Sequence, residues 1–406
     1  MKTARIDFIS DGTITSPQGF SAGATYAGIK KRGRYNLDLG MLFSKAPCAT
    51  AGVSTTNKVK STAVILNEER LKKGRVIAII ANSGCANCST GEQGLADAAE
   101  MAALAAKSVG ADPKEVLVAS TGVIGKRLPM KLIKSGINQI ILSRDGGHEM
   151  AKAIMTTDTV PKEAAMTAKI GDTAFTIGGI CKGSGMIHPN LATMLCFLTT
   201  DAVVELDFLK SALRRAVDIS FNMVSVDGDT SPSDTVLLMA NGLAKNKLIV
   251  SGSQQADIFQ QALNQICVYL AKAIARDGEG ATRLIEVTVI GALNIADARV
   301  AARTIVSSSL VKTAVHGADP NWGRIIVAAG RSGAEVVPSR LDLSIGDVLV
   351  LKGGTPLLYN EVSVIEVFKR KEVPITLNLN LGTALATAWG CDLSKKYVTI
   401  NSQYMT

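Results

Sequence analysis

The chain has 406 residues, of which 47% are hydrophobic and only 4% aromatic, with 37 glycines. A core of Ala, Val, Ile and Leu with many tight turns predicts an α/β protein with two domains or one large core. The sequence has no apolar run of about 18 residues, so we expect no membrane span. The N-terminus lacks the pattern of a signal peptide, so we expect a cytoplasmic protein.

The net charge of +9 and the seven cysteines exclude little by themselves. The densest basic cluster, residues 30–34, has no interleaved aromatic residues and belongs to no nucleic-acid module, so we expect no nucleic-acid partner. An odd number of cysteines argues against a disulfide framework. Cys85 and Cys88 form a C-x-x-C pair, but no second pair or histidine cluster completes a zinc site, so we predict no metal.

The first half of the chain alternates predicted strands and helices. Residues 1–60 have glycine turns and alternating apolar residues, a β-rich pattern. Residues 76–80 form a continuous apolar run, typical of a strand buried on both faces. Residues 92–109 have the apolar spacing of a helix that ends at Gly110, and residues 116–119 predict the next strand.

The remaining elements follow without an internal repeat or a low-complexity linker. The pattern predicts helices over 128–142, 148–155, 206–219, 253–275, 294–307 and 383–389, and strands over 174–180, 193–200, 284–289 and 377–381. Residues 341–370 indicate alternating strands and turns, and the last ten residues follow a strand.

The strand at residues 116–119 ends in small residues, among them Thr121 and Gly122. A strand that ends in this way leaves backbone N–H groups uncommitted, and such groups can stabilise a developing oxyanion. A plain strand-to-helix turn has the same pattern, and the residues alone favour that interpretation.

The middle of the chain, residues 182–195, reads KGSGMIHPNLATML and joins two predicted strands. A small residue, Ala192, precedes Thr193, which suits a precursor that cleaves itself when the Thr193 hydroxyl attacks the preceding carbonyl. Thr193 would then be a new N-terminus whose α-amine, with a pKa of about 8, acts as the base for the hydroxyl. On spacing alone, an ordinary Thr at the start of a strand is the favoured interpretation.

Three further polar segments are candidates for function. Residues 156–162, TTDTVPK, form a polar turn ahead of a strand, and Glu279 lies in a glycine turn at a helix end. Residues 227–231, DGDTS, belong to a segment rich in Asp, but it lacks the ligand spacing of a calcium loop.

These segments, together with HGADPNWGR at residues 316–324, resemble the ornithine acetyltransferase (glutamate N-acetyltransferase) family of the arginine pathway, and the resemblance covers essentially the whole chain. It implies an α/β fold of stacked helices and sheets, shared with certain aminopeptidases. It also implies cleavage at Ala192–Thr193 into an α chain, residues 1–192, and a β chain, residues 193–406, which remain intertwined in an α2β2 assembly.

The same resemblance implies transfer of an acetyl group from N-acetylornithine to glutamate through an acetyl-Thr193 intermediate. The residues that it implies for the site are Thr193 as nucleophile, Thr121 and Gly122 as oxyanion hole, and Thr156 (or Thr157), Lys182, Thr193, Glu279, Asn401 and Thr406 as substrate contacts. Some family members also accept acetyl-CoA, and its use here stays open. No other cofactor is implied. His316 is expected to support the site indirectly or to be structural, and for His188, beside Pro189, both a role in cleavage and a structural role stay open.

Two alternatives remain. An N-terminal nucleophile aminopeptidase or amidohydrolase of the same fold would use the same nucleophile, with water as the acyl acceptor, and would not need glutamate for turnover. A basic protein that binds RNA or an acidic partner is supported by the net charge alone.

Overall fold

The computed structural model describes residues 4–30, 37–170, 173–188 and 194–403. Strands and helices alternate through these ranges. The strands are β1 (Ala4–Phe8), β2 (Phe20–Thr25), β3 (Leu39–Ser54), β4 (Arg75–Cys85), β5 (Val116–Val123), β6 (Lys162–Ile170), β7 (Thr173–Lys182), β8 (Leu195–Thr200), β9 (Val224–Ser225), β10 (Thr235–Ala240), β11 (Leu284–Ala292), β12 (Asp342–Ile345), β13 (Val348–Lys352), β14 (Thr355–Pro356), β15 (Glu372–Asn378) and β16 (Ala384–Cys391). The helices are α1 (Thr62–Leu71), α2 (Gly91–Val109), α3 (Met130–Ile137), α4 (Gly147–Ala153), α5 (Leu206–Asp218), α6 (Gln254–Arg276), α7 (Ile295–Ser307), α8 (Ser309–Gly317), α9 (Gly323–Gly330), α10 (Glu361–Lys369) and α11 (Lys395–Ser402).

The strands form two mixed sheets. The first has the order β1-β6-β7-β8-β10-β3-β4-β5, with β2 also paired to β3, and the second has the order β14-β13-β12-β15-β11-β16-β9. In the first sheet, β8 lies between β7, to which it is antiparallel, and β10, to which it is parallel. Strand β8 is therefore an interior strand of this sheet.

Helix α6 joins the two sheets, because it contacts β6 and β7 of the first sheet and β9 and β16 of the second. Its buried face, which includes Phe259, Ile266 and Leu270, belongs to one hydrophobic core that both sheets share. Burial of side chains of this size stabilises the fold by about 1.5–3 kcal/mol each. The two sheets and their helices thus form one packed unit.

Strand β8 is buried on both faces. Leu195 and Phe197 pack in a core with residues of β4 and α4, whereas Cys196 and Leu198 pack on the opposite side in the core that contains α6. Successive side chains of a strand point to opposite faces, so a strand covered on both sides needs a continuous apolar run. Strand β4 has the same apolar character, as its sequence predicted.

Most predicted elements are confirmed, with small changes at their ends. Helix α2 ends at Gly110, whose φ of +67° is a left-handed conformation that glycine adopts readily. The predicted helix over 128–142 is shorter, at Met130–Ile137. No helix among the described residues is long and apolar enough to span a membrane.

Near the C-terminus one prediction is wrong and two are incomplete. Residues 383–389 form no helix, because Ala384–Cys391 is strand β16, which pairs with β11 and buries alternate alanines against the shared core. This tertiary pairing overrides the helix propensity of Ala. Residues 341–370 include helix α10 as well as strands, and the chain end carries helix α11, Lys395–Ser402.

Candidate active site

A small polar cavity of about 120 Å³ brings together segments from both halves of the chain. It is lined by Ala86, Thr121, Gly122, Ile124, Thr156, Thr157, Lys182, Gly185, Met186, Ser231, Pro232, Ser233, Glu279 and Asn401. Every described residue of the predicted site is in this set. Ala192, Thr193 and Thr406 lie outside the described residues.

Gly122 is the second-to-last residue of β5 and is paired with β4. Its φ is +127°, and a Cβ at this position would lie 2.4 Å from the carbonyl carbon of Gly84, its partner in the parallel ladder. Gly84 itself has a φ of +101°. Only glycine fits both positions, because a side chain on either would be strained and on Gly122 would also clash with the backbone.

Thr121 precedes Gly122 and is 3% exposed at the cavity. The neighbouring residue anchors the strand end: the Ser120 hydroxyl donates to Asn82 Oδ1 at 2.7 Å, and Asn82 Nδ2 donates to the carbonyl of Cys85 at 2.9 Å. These buried bonds fix the ends of β4 and β5 relative to each other. The Thr121 hydroxyl makes no hydrogen bond to another described residue, so it is free to donate into the cavity.

Lys182 is the last residue of β7, and it is buried at the cavity, with 4% exposed. Burial lowers the pKa of its ammonium group, while the carboxylates of Asp158 and Asp234, in that order, oppose this shift. Among the described residues, no carboxylate forms an ion pair with Lys182. The cavity therefore holds a buried cation whose charge is balanced from a distance and whose donors are open to a ligand.

Near Lys182 is a buried group of three charged residues, Asp158, Lys162 and Asp277. Lys162 Nζ is 2.6 Å from both Asp158 Oδ1 and Asp277 Oδ2. Asp158 also accepts hydrogen bonds from the backbone N–H groups of Gly183, at 2.7 Å, and Thr156, at 3.1 Å. This network connects the TTDTVPK segment to the loop after β7 and to the end of α6.

The charges in this network are set by their surroundings. Burial by itself would raise the pKa of Asp158, but the nearby ammonium groups of Lys162 and Lys182 lower it to about 2. Asp158 is thus a carboxylate at neutral pH. The TTDTVPK segment also holds the loop after β7, because the hydroxyls of Thr157 and Ser184 are 2.7 Å apart and form a hydrogen bond.

Glu279 closes the cavity from the second half of the chain and is 8% exposed. Its backbone N–H donates to the carbonyl of Ser184 at 2.7 Å, and its Oε2 accepts a hydrogen bond from Asn401 Nδ2 at 2.7 Å. A Cβ on Gly185 would lie 2.5 Å from the Glu279 carboxyl carbon, so a side chain at this position would displace the Glu279 carboxylate.

Helix α11 returns to the site through a second contact. Tyr397 donates its hydroxyl to Asp227 Oδ2 at 3.2 Å, and the same carboxylate accepts the N–H groups of Met186, at 2.6 Å, and Ile187, at 2.9 Å. Burial raises the pKa of Asp227, and these hydrogen bonds oppose it. The DGDTS segment thus holds the loop after β7 by means of Asp227.

The histidines lie elsewhere. His188 pairs with Ser225 at 3.2 Å, and His316 pairs with Asp392 at 2.7 Å. Burial lowers the pKa of His188. No histidine is part of the cavity wall among the described residues, so the cavity offers no imidazole as a base.

Several residues of the site were missed from the sequence. Ser231 and Ser233 line the cavity, and the ion group of Asp158, Lys162 and Asp277 supports it. The one available signal was the pairing of Asp and Lys at i and i+4 in TTDTVPK. Asp277 is far away in sequence and gave no such signal.

Taken together, a buried ammonium, a carboxylate and a glycine-lined strand end around a small polar cavity define an α/β enzyme that acts on a small polar molecule. The chain belongs to the ArgJ family, whose model matches residues 21–406. It is therefore an acyltransferase of arginine biosynthesis.

The chain is similar to several named proteins. The arginine biosynthesis bifunctional protein ArgJ of Dehalococcoides mccartyi is 53% identical over 401 residues, which cover 99% of each chain. The crystal structure of ArgJ from Bacillus halodurans is 45% identical with a TM-score of 0.50, and covers 51% of this chain and 97% of its own. The ornithine acetyltransferase of Mycobacterium tuberculosis, solved with ornithine, is 35% identical with a TM-score of 0.42, and covers 47% of this chain and 100% of its own.

Proposed function

We propose that this enzyme transfers an acetyl group from N-acetylornithine to glutamate through an acetyl ester on Thr193. The observation that carries the proposal is the cavity, in which Lys182 and Glu279 face the strand end with Thr121 and Gly122. One cation, one carboxylate and a candidate oxyanion hole are the groups that acyl transfer between amino acids needs.

The charged groups support amino-acid substrates. Both proposed substrates carry an α-carboxylate, for which the open ammonium of Lys182 is a strong donor. The Glu279 carboxylate suits the side-chain ammonium of ornithine. A cavity of about 120 Å³ accommodates one amino acid at a time, which fits two half-reactions in turn.

In the first half-reaction, the Thr193 hydroxyl would attack the acetyl carbonyl while the α-amine of Thr193 takes its proton. Thr121 Oγ1 and the N–H of Gly122 would donate to the oxyanion, an effect typically worth about 3–4 kcal/mol per donor. Ornithine would leave with the proton returned to its amine. The amine of glutamate would then attack the acetyl-Thr193 ester and release N-acetylglutamate. Thr156, Asn401 and Thr406 would complete the substrate contacts.

We further propose that the chain is cut at Ala192–Thr193 into residues 1–192 and 193–406. The pairing of β7 with β8, and of β3 with β10, supports lasting association, because each half would contribute strands to the same sheet. The length of the solved B. halodurans chain, which covers about half of this one, also supports a cut near the middle.

Three finer points belong to the same proposal. The name bifunctional, which the relatives carry, supports acetyl-CoA as a second acetyl donor, and we propose no other cofactor. We propose an α2β2 assembly of the two chains, on the family resemblance. A biosynthetic role of this kind supports a cytoplasmic location.

The test is the intact mass of the purified protein under denaturing conditions, beside a Thr193→Ala variant. We expect two chains that break at Ala192–Thr193 in the wild type and one uncut chain in the variant. N-acetylornithine should then add one acetyl group to the β chain, and glutamate should remove it. Fast loss of the acetyl group without glutamate would indicate a hydrolase instead, and an uncut, inactive wild type would overturn the proposal.

A further inference from the structure

A second cavity, of about 200 Å³, lies between the loop that joins β1 to β2 and the start of α4. Over the described ranges of the chain, it shares no lining residue with the active-site cavity. Its wall has no part in the proposed acetyl transfer. The polar groups of this wall therefore need a separate explanation.

Two buried hydroxyls of the wall have no hydrogen-bond partner among the described residues. Thr13 is 4% exposed and Thr15 is 1% exposed, and neither Oγ1 atom is bonded. Both oxygens face the same place, because a Cβ added to Gly147 would lie 2.8 Å from Thr13 Oγ1 and 2.6 Å from Thr15 Oγ1. A buried hydroxyl without a partner costs free energy, since folding removes the water that it bonded. A polar ligand in the cavity would restore these bonds.

Other groups hold the loop in place. The N–H of Thr13 donates to Ser16 Oγ at 2.9 Å, and the N–H of Ser16 donates to the carbonyl of Thr13 at 3.1 Å. The Thr199 hydroxyl, on β8, donates to the carbonyl of Ile14. The conformation of the loop therefore does not depend on the hydroxyls of Thr13 and Thr15. They belong to a pre-formed wall and remain available to a ligand.

Charges of both signs line the same cavity. Arg144 contributes a guanidinium, and Asp11 and Asp145 contribute carboxylates; none of the three forms an ion pair with a described residue. His148 is engaged, because its Nδ1 pairs with Glu163 Oε2 at 2.9 Å. The two carboxylates oppose a ligand that is only an anion, and the guanidinium opposes one that is only a cation. The wall thus suits a small ligand that carries both charges.

We propose that this cavity is a binding site for a free α-amino acid, separate from the active site. The hydroxyls of Thr13 and Thr15 donate to the ligand's carboxylate, which also pairs with Arg144. Asp11 and Asp145 hold its ammonium group. The volume of about 200 Å³ exceeds that of the active-site cavity, for which we propose amino-acid substrates, so it has room for such a ligand.

Removal of one hydroxyl separates a ligand-binding role from a structural role. Thr15→Val keeps nearly the same side-chain shape and removes only the hydroxyl. If that hydroxyl bonded to the protein, its loss would leave a buried partner unpaired and lower the free energy of unfolding. Because it has no partner among the described residues, Thr15→Val should leave the free energy of unfolding of the ligand-free protein unchanged or raise it.

The experiment is a calorimetric titration of the purified protein with L-glutamine, whose only charges are its α-groups. The wild type and Lys182→Met are titrated in parallel, because the second variant lacks the cation of the active-site cavity. Further probes are the analogue of glutamine without its ammonium group, the analogue without its carboxylate, and inorganic phosphate. We expect saturable binding of L-glutamine to both proteins. Each further probe should bind at least about 10-fold more weakly.

Three variants test the wall of the cavity. Thr15→Val and Arg144→Met should each weaken the binding of L-glutamine at least about 10-fold. The matched control is Thr200→Val, a buried position outside this cavity whose hydroxyl donates to the carbonyl of Thr176 at 2.8 Å. Thr200→Val should lower the free energy of unfolding in urea and leave the binding of L-glutamine unchanged.

Several results would overturn the inference. One is the absence of saturable binding of L-glutamine, in which case the cavity holds only water. Another is equally strong binding of phosphate or of the analogue without the ammonium group, which would indicate a simple anion site. Binding that Lys182→Met abolishes and Thr15→Val leaves intact would assign the ligand to the active site.

Two features keep the test decisive. If Thr15→Val does not fold, as judged by circular dichroism, Arg144→Met decides, because it changes an exposed side chain. None of these measurements requires cleavage or acetyl transfer. Failure of the proposed function would therefore leave this inference standing, and loss of this inference would leave the proposed function standing.

Discussion

Lys182 and Leu195 are partners in the antiparallel ladder of β7 and β8, so the last residue of one strand lies beside the first residue of the next. The segment between them includes the proposed cleavage site. A cut there would leave both flanking strands held by the sheet. The new N-terminus would thus begin two residues before β8, which is buried on both faces.

Gly122→Ala should nearly abolish acetyl transfer. The new methyl group would lie 2.4 Å from the carbonyl carbon of Gly84, and the φ of +127° strains any side chain. We expect kcat to fall about 100-fold or more, because the N–H donor moves. The control is Gly125→Ala, which also has a positive φ but no atom within 4 Å of the added carbon. Steady-state kinetics would contradict the assignment if both variants lost activity equally.

Lys182→Met should weaken binding of both substrates through their shared α-carboxylate. Loss of a buried charged donor costs about 2–5 kcal/mol in comparable interfaces, so kcat/KM should fall at least about 30-fold for each substrate. Lys210→Met, at a partly exposed position on α5, should change neither value. Unchanged KM values for both substrates in Lys182→Met would argue against carboxylate binding at this position.

Lys162→Met should destabilise the protein rather than alter its specificity. It would leave Asp158 and Asp277 as buried carboxylates without their common partner. Removal of one member of a buried ion pair costs about 3–5 kcal/mol. Denaturation in urea should report this loss in the free energy of unfolding. A loss below about 1 kcal/mol would mean that this ion network contributes little to the free energy of unfolding.

Acid should remove the contribution of Asp158. Its pKa falls from an ordinary 3.8 to about 2 in the folded protein, so its stabilisation is present above pH 3.8 and is lost as the pH falls towards 2. The free energy of unfolding of the wild type and of Asp158→Asn should therefore converge between about pH 5 and pH 2. A constant difference across this range would contradict the depressed pKa.

Asn401→Ala should impair ornithine binding through Glu279. It removes the hydrogen bond from Asn401 Nδ2 to Glu279 Oε2, at 2.7 Å, and a bond to a charged group is worth about 1.5–3 kcal/mol. We expect KM for N-acetylornithine to rise at least about 10-fold. Ser402→Ala, at the next and exposed position of α11, is the control. An equal rise of KM in the two variants would mean that disruption of α11, and not loss of this hydrogen bond, weakens ornithine binding.

The sequence by itself determined which local segments could carry chemistry. Thr121, Gly122 and Lys182 stand at predicted strand ends and Glu279 at a predicted helix end, with glycines beside them, and hydrophobic periodicity locates those ends. The buried strands and amphipathic helices were predicted for the same reason, because side-chain period is a local property.

Only the tertiary structure decided how these segments meet. The ion pair between Lys162 and Asp277 joins positions 115 residues apart, and no local pattern encodes such a distance. The hydrogen bond from the Thr235 N–H group to the carbonyl of Met194 likewise forms only because β10 lies beside β8. Residues 384–391 form a strand because β11 offers a partner there, and pairing and burial outweigh the helix propensity of alanine.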